Sequence, residues 1–301
     1  MPLALRTPSR ATIEIRRRLH AGIPGKKRKV LRHLHPRSLE REYARALLRF
    51  VSKLQGIILN RLIPRFPEIE TKVTELRPDS SRQDQETAAD LIADLMQSVN
   101  LWFDDALKAY YAETVAEDLG WQVADFNRKE IGKVFQSVLG LDIAGREPWL
   151  VSEIKMFTKT NAALITDIPR KMAADIESTM YTGLRQGMRH EAMRDWIVKD
   201  LGGPNGEAGV FQKVETRAAL IARDQVSKFN GQLTSLRHRD AGVEKYIWHT
   251  AMDERVRPEH ADREGDAFSW DDPPEDGHPG EPINCRCWAE PVFGEEEETE
   301  E

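Results

Sequence analysis

The chain has 301 residues, of which 40 % are hydrophobic and 31 % are charged, and its formal net charge is −6. A chain of this length can bury a sizeable core without disulfide bonds. Its two cysteines, Cys285 and Cys287, are too few and too close for a disulfide framework, which fits a reducing compartment. No apolar run approaches the ~20 residues that span a bilayer, and the amino-terminal residues lack the apolar core of a signal peptide. We therefore expect a globular protein that is made in the cytoplasm.

Positive charge is concentrated near the amino terminus. Residues 1–65 hold 17 Lys and Arg against 3 Asp and Glu, so the rest of the chain holds 27 against 47. We predict that residues 1–37 form a basic, loosely ordered arm. Such an arm can contact nucleic-acid phosphate, contact an acidic protein surface or stay solvated. Residues 294–301 are mostly Glu and predict a disordered acidic tail.

The first predicted helix begins near Ser38 and ends at Pro64 and Pro67. Its apolar positions recur at helical spacing: Tyr43, Leu47, Phe50, Val51, Leu54 and Ile58. Residues 68–83 are polar and predict a linker, and a second helix follows over about 88–116. Both helices carry one apolar face, so we expect them to pack against other helices.

Three further helices are predicted from the same periodicity. They cover about 149–187, with a possible interruption at Pro169, then 189–200 and 210–238. Glycines and a proline between 202 and 206 separate the last two. We expect residues 38–203 to form one helical domain.

The pattern changes after Gly242. Residues 246–248 predict a strand, and residues 283–292 predict a second one. Between them, residues 251–282 are rich in Pro, Asp and Gly, and so long an irregular segment is uncommon unless something organises it. The predicted fold class is therefore mainly α, with long helices followed by a small C-terminal α+β module, residues 204–293, that contains a long irregular loop.

A set of short motifs follows a fixed order in this C-terminal region. A helical Ala222-Arg223-Asp224-Gln225 precedes the first strand. The motifs that follow the strand are Asp253-x-Arg255-x-Arg257-x-x-His260, Gly265, Pro279-Gly280 and Cys285-Arg286-Cys287. In order and spacing, residues 210–293 resemble the C-terminal domain of the phage Mu F-like head morphogenesis proteins.

That resemblance implies a role rather than a reaction. It implies a minor head (capsid) protein of a tailed phage or phage-like particle, associated with the portal and acting in head morphogenesis, DNA packaging or ejection. The expected partners are the portal protein, other head proteins, further copies of the chain and packaged DNA through the basic arm. The expected location is the virion, after assembly in the host cytoplasm, and no catalytic residue is predicted.

His260, Cys285 and Cys287 are the candidate metal ligands. Imidazole and thiolate groups suit zinc, and a bound ion would hold the irregular loop in shape. His278, Asp253 or His249 could supply a fourth ligand. The alternative is that the cysteines face a small core as free thiols, since Cys-x-Cys is not the usual spacing of a zinc finger.

The arginines of the motif form a second candidate group. Arg223, Arg255, Arg257 and Arg286 can pair with Asp253, Asp224 or Glu254 and hold the loop against the preceding helix. They can also recognise phosphate. With Gly265, we interpret them as structural residues of the motif.

Two other classes of function compete with a head protein. His249, His260 and Asp253 could form the site of a metal-dependent nuclease or hydrolase acting on nucleic acid. The many acidic residues around them disfavour a surface that cuts DNA. A simple binding module, with the basic arm on DNA and the helices on a protein, is the other alternative.

Overall fold

The computed structural model describes residues 17, 31–68, 71, 82–140, 147–199 and 208–293. The acidic tail, nearly all of the basic arm before residue 31 and most of the predicted linker 68–83 lie outside the described residues. The predicted fold class is confirmed: long helices precede a small antiparallel sheet near the C-terminus.

The first helix, α1, spans Arg37–Ile57 and carries Glu40 in its first turn, where an acidic side chain complements the helix dipole. The predicted apolar stripe is buried along its whole length. After Ile57 the chain continues through a π-helical turn, Ile58–Leu62, and a short 3-10 helix, Ile63–Arg65. Pro64 lies in that last turn, close to the predicted end.

Helix α2 spans Arg82–Lys108 and helix α3 spans Ala112–Leu139. The prediction of a single helix ending near residue 116 is wrong here, because Tyr111 takes a positive φ of 52° between them. Helix α3 continues through Gly120. A Cβ atom at that glycine would lie 3.1 Å from the Phe157 ring, so the glycine allows close packing rather than a turn.

Helices α4, α5 and α6 span Leu150–Arg185, His190–Val198 and Val210–Asp240. The interruption considered at Pro169 does not occur. A proline inside a helix removes one backbone hydrogen bond, but Ile165, Ile168 and Met172 are completely buried around it. Packing of these side chains keeps α4 continuous.

The chain divides into two compact units. The first unit contains the described residues of Met1–Glu40, Glu117–Phe157 and Arg223–Glu301, and the second contains those of Arg41–Ala116 and Thr158–Ala222. The proposed domain division at residues 203 and 204 stays a prediction.

A buried polar network joins α3 to α6 in the first unit. The Asn127 side-chain amide donates to Asn230 Oδ1 at 3.0 Å and to Thr234 Oγ1 at 2.8 Å. Arg237 forms a two-pronged ion pair with Glu147 at 2.6 and 3.0 Å. Buried polar groups that all find partners fix one relative position of the helices, so the network orients the face of α6 that carries the C-terminal module.

The sheet has the order β2-β1-β3 and is antiparallel throughout. Strand β1 spans Lys245–His249, β2 spans Ala267–Ser269 and β3 spans Trp288–Pro291. Strand β1 extends one residue beyond each end of the strand predicted at 246–248, and β3 lies within the strand predicted at 283–292. The sequence does not predict strand β2, because its three residues lie in a polar segment. They form a strand by pairing with β1.

Helix α6 holds the irregular segment closely. A Cβ atom at Gly231 would lie 2.5 Å from the Pro279 carbonyl oxygen, so only glycine allows the loop to approach this near. One turn earlier, the Ser227 hydroxyl donates to the Cys285 carbonyl oxygen. A cluster of Tyr246, Trp248, Trp270 and Ala289 forms a small core under the loop. The irregular segment therefore packs against α6 on one side and against this small core on the other.

A candidate metal centre beside an arginine-lined cavity

His260 is presented by a short helix, α7, which spans Pro258–Ala261. Proline at the first helical position needs no N–H partner, and its φ suits a helix. The His260 side chain is 2 % exposed, and its Nε2 atom lies 2.8 Å from Asp276 Oδ2. A carboxylate accepts the hydrogen of Nε2, which leaves the lone pair on Nδ1.

The two thiols lie on the Nδ1 side of that ring. Cys287 Sγ is 3.4 Å and Cys285 Sγ is 3.6 Å from His260 Nδ1, and all three ligand atoms lie within 4.8 Å of one another. The cysteines are two residues apart just before β3, and alternate residues of an extended chain point to the same side. The Cys-x-Cys spacing therefore suits a site on an extended segment.

Local hydrogen bonds tune the acidity of these groups. The hydrogen bond from Cys287 lowers the pKa of Cys285 to about 6, against the opposing effect of burial, and the Gly280 backbone N–H contributes at 3.4 Å. The same contact and burial raise the pKa of Cys287. Burial raises the pKa of Asp276, but hydrogen bonds from His260 and Arg263 outweigh it and lower the pKa below its usual value. One thiolate, the form that binds metals, therefore faces an imidazole oriented by a carboxylate.

The structure brings together the three predicted ligands, and this cluster can hold a metal ion. The candidates for a fourth ligand have other partners. His249 lies 2.6 Å from Glu264 and 2.9 Å from Glu290. His278 Nδ1 lies 2.9 Å from the Tyr246 hydroxyl.

Asp253, the remaining candidate, binds Arg286 at 2.8 Å. His249 and Asp253 are therefore occupied elsewhere and do not join His260 as the predicted nuclease site required.

Only part of the predicted arginine network forms. Arg286 pairs with Asp253, as expected, whereas Arg257 donates to the Ile283 carbonyl oxygen at 2.7 Å. Arg223 lies 3.5 Å from Glu40, a residue far away in sequence that the motif could not indicate. Gly265 has a φ of +89° and donates its N–H to the Trp248 carbonyl oxygen at 2.9 Å, so it forms a turn that favours glycine.

Asp224 and Arg255 complete the motif. Asp224 accepts the Asn284 N–H at 3.2 Å and pairs with Lys228 at 2.8 Å, so it anchors the chain before Cys285 to α6. The backbone N–H of Arg255 donates to Asp253 Oδ1 at 3.2 Å. Among the described residues, its guanidinium makes no side-chain hydrogen bond or close ion pair, although its charge contributes to lowering the pKa of Asp253.

The cluster borders a cavity of about 280 Å³. All three cluster residues line it, and so do the four arginines of the motif: Arg223, Arg255, Arg257 and Arg286. The motif residues that are separated in sequence thus surround one small space.

Sequence reasoning missed three residues that shape this site. Asp276 is one of several acidic residues in the loop, and no pattern distinguishes it. Ser227 and Gly231 are four residues apart, so they share one helix face, and two small residues on that face are the sequence signal of a close approach.

No helix in the part of the chain that the structure describes is long and apolar enough to cross a membrane.

No solved structure matches the chain. It is 32 % identical over 176 residues to an uncharacterized protein of Haemophilus influenzae, and the match covers 57 % of this chain and 37 % of that protein. This chain therefore corresponds to little more than a third of that relative.

A family match covers the region that contains the cluster. Residues 174–290 match the family described as Phage Mu protein F like protein. The match begins within α4, before the residues that carry the resemblance, and it includes His260, Cys285, Cys287 and all four arginines. Over residues 174–290 the chain is therefore similar to the phage Mu F-like proteins.

Proposed function

We propose that this chain is a minor head protein of a tailed phage or phage-like particle. In this role it is present in few copies, binds the portal and acts in head morphogenesis, DNA packaging or ejection. The observation that carries the proposal is the family match over residues 174–290, because it covers the motifs that converge around the cavity. The basic arm contacts packaged DNA in this account. The rest of the chain, which carries net negative charge, contacts the protein partners.

A zinc ion bound by His260, Cys285 and Cys287 stabilises the C-terminal module in the same proposal. Two sulfur ligands and one imidazole suit zinc better than the hard cations, which prefer oxygen. A carboxylate that orients a ligand histidine, as Asp276 does here, is the usual support of such sites. The ion would join the loop that carries His260 to the segment that enters β3.

A metal-dependent nuclease or hydrolase is the alternative function. Three protein ligands beside a cavity favour it, because catalytic zinc sites keep one position open. Two of its three candidate residues, His249 and Asp253, contact Glu290 and Arg286 instead of His260. Conversion of supercoiled plasmid DNA to nicked or linear forms by the zinc-loaded chain, but not by a His260→Ala variant, would establish it.

Portal association is tested by co-expression of the full chain with the portal protein of its own phage. Purification through a tag on the portal should retain the chain. A Gly231→Leu variant, which forces α6 and the loop apart, should be retained roughly tenfold less if the module forms the docking surface. Gly132→Ala, in α3 with open space around its Cβ position, is the matched control. Failure of the wild-type chain to remain with the portal would contradict the association.

A further inference from the structure

The cavity beside the cluster is small and strongly basic. Its volume of about 280 Å³ is near the lower end of pockets that bind small molecules, which begin at about 300 Å³. Four guanidinium groups line it, together with the three cluster residues, and no carboxylate is among its lining residues. Space and charge both suit a single anionic group.

Much of the hydrogen-bonding capacity of these arginines is unused. A guanidinium offers five N–H donors. The Arg255 side chain donates no hydrogen bond to the described residues, and Arg257 donates one at 2.7 Å, to the Ile283 carbonyl oxygen. Arg223 has its nearest carboxylate, Glu40, at 3.5 Å, a long contact at a half-exposed position. These three arginines therefore keep N–H donors that are not used by the described residues.

We propose that this cavity binds one carboxylate group of a partner protein, an Asp or Glu side chain. Guanidinium forks match a carboxylate through two parallel hydrogen bonds. The same arginines already take carboxylates from their own chain, as Arg286 does with Asp253 at 2.8 Å. A carboxylate oxygen is also a zinc ligand, so the same group would fill the fourth position of the metal site. This contact between carboxylate and metal rests on the proposed zinc.

A protein fits this site better than nucleic acid does. Glu254, Glu259 and Asp262 are exposed on the segment that carries Arg255 and Arg257. They would repel the neighbouring phosphates of a nucleic acid that placed one phosphate in the cavity. Ile283, which lines the cavity, is 57 % exposed. An apolar contact next to an arginine is typical of the core of a protein interface.

The test uses the full chain loaded with cobalt(II), whose visible spectrum reports the ligands of the metal. Acetate, the carboxylate probe, should bind by calorimetry and change that spectrum. An Arg255→Gln/Arg257→Gln variant should bind acetate roughly tenfold more weakly, because charge-assisted hydrogen bonds are lost, while its cobalt content stays unchanged. Arg128→Gln, on the exposed face of α3, should bind acetate like the wild-type chain.

The calorimetric arm separates this proposal from the zinc proposal. A chain that binds acetate but no cobalt would retain the arginine site and reject the metal. Unchanged acetate affinity in the double variant would overturn the carboxylate site.

The source of the ligand is tested with a photo-crosslinking residue in place of Ile283 in assembled particles. We expect crosslinks to a protein segment that contains Asp or Glu. Crosslinks to DNA alone, or stronger competition by a single-stranded oligonucleotide than by acetate, would overturn the protein assignment.

Discussion

The Nε2 atom of His260 lies 2.8 Å from Oδ2 of Asp276, and this contact turns Nδ1 toward Cys285 and Cys287. Arg263 holds the other oxygen of the same carboxylate at 2.6 Å. The imidazole is therefore fixed in position and in tautomer by a residue that does not touch the sulfurs. Pre-orientation of this kind is what distinguishes a metal site from a chance group of polar side chains.

Replacing Asp276 by Asn should weaken metal binding without removing a ligand. Loss of a carboxylate behind a ligand histidine lowers affinity by roughly 10- to 100-fold. Competition against a chromogenic chelator measures the change, and Asp262→Asn, an exposed position near His260, is the control. Equal affinities in the two variants would show that Asp276 does not orient a ligand.

Removing the ligands themselves should abolish binding. Wild-type protein purified without chelators should contain about one zinc per chain, by elemental mass spectrometry. Cys285→Ser, Cys287→Ser and His260→Ala should each lose it, and the C-terminal module should become more susceptible to proteolysis. No metal in the wild-type chain, with unchanged stability in all three variants, would reject the zinc proposal. Packing of Gly231 against Pro279 and the Arg286–Asp253 pair would then account for the order of the loop.

The contact between α6 and the loop can be broken by one side chain. A Cβ atom at Gly231 would lie 2.5 Å from the Pro279 carbonyl oxygen and 3.3 Å from Gly280 Cα, so Gly231→Ala should reduce the free energy of unfolding by about 1–3 kcal/mol. Gly132→Ala, inside α3 with nothing within 4 Å, should increase it by about 0.5–1 kcal/mol. Urea unfolding of both variants checks the opposite signs; a stable Gly231→Ala protein would mean that the loop does not pack here.

Two buried histidines should make the first unit sensitive to acid. Burial lowers the pKa of His238 to about 3 and that of His33 to about 4. As pH falls below about 6.5, the unfolded chain binds protons that the folded chain does not, so stability is lost between about pH 6.5 and 4. The slope reaches about 1.4 kcal/mol per pH unit for each histidine.

A His238→Phe variant tests this pH dependence. The ring of His238 packs against Trp270 and Phe135, so a phenylalanine keeps the aromatic contact but cannot titrate. Urea unfolding between pH 4 and 7 should show a shallower loss of stability in the variant. An unchanged slope would mean that His238 is not the titrating group.

Helical periodicity predicted the helices in which apolar side chains recur on one face and are buried. All six apolar residues assigned to the first predicted helix, from Tyr43 to Ile58, are buried. The same reasoning placed the end of the second helix near residue 116, whereas α2 ends at Lys108 and α3 spans Ala112–Leu139. It also missed β2, whose order comes from a partner strand rather than from its own residues.

Part of the site was predictable because side-chain chemistry limits the choices. With two cysteines in the chain and His260 in a shared motif, the three ligands could be named. Asp276 could not be named, because its role depends on a loop path that only the packing on Gly231 defines. The pairing of Arg223 with Glu40 likewise joins residues whose proximity no local pattern reveals.

The central claim, that this chain is a component of a phage head, is tested most directly by quantitative mass spectrometry of purified particles. Heads of the phage or phage-like element that encodes the chain would be purified after nuclease treatment, and the chain would be quantified against the portal protein. Our account predicts a few copies per head in a fixed ratio to the portal. Absence of the chain from purified heads, with all of it in the soluble lysate, would contradict the account.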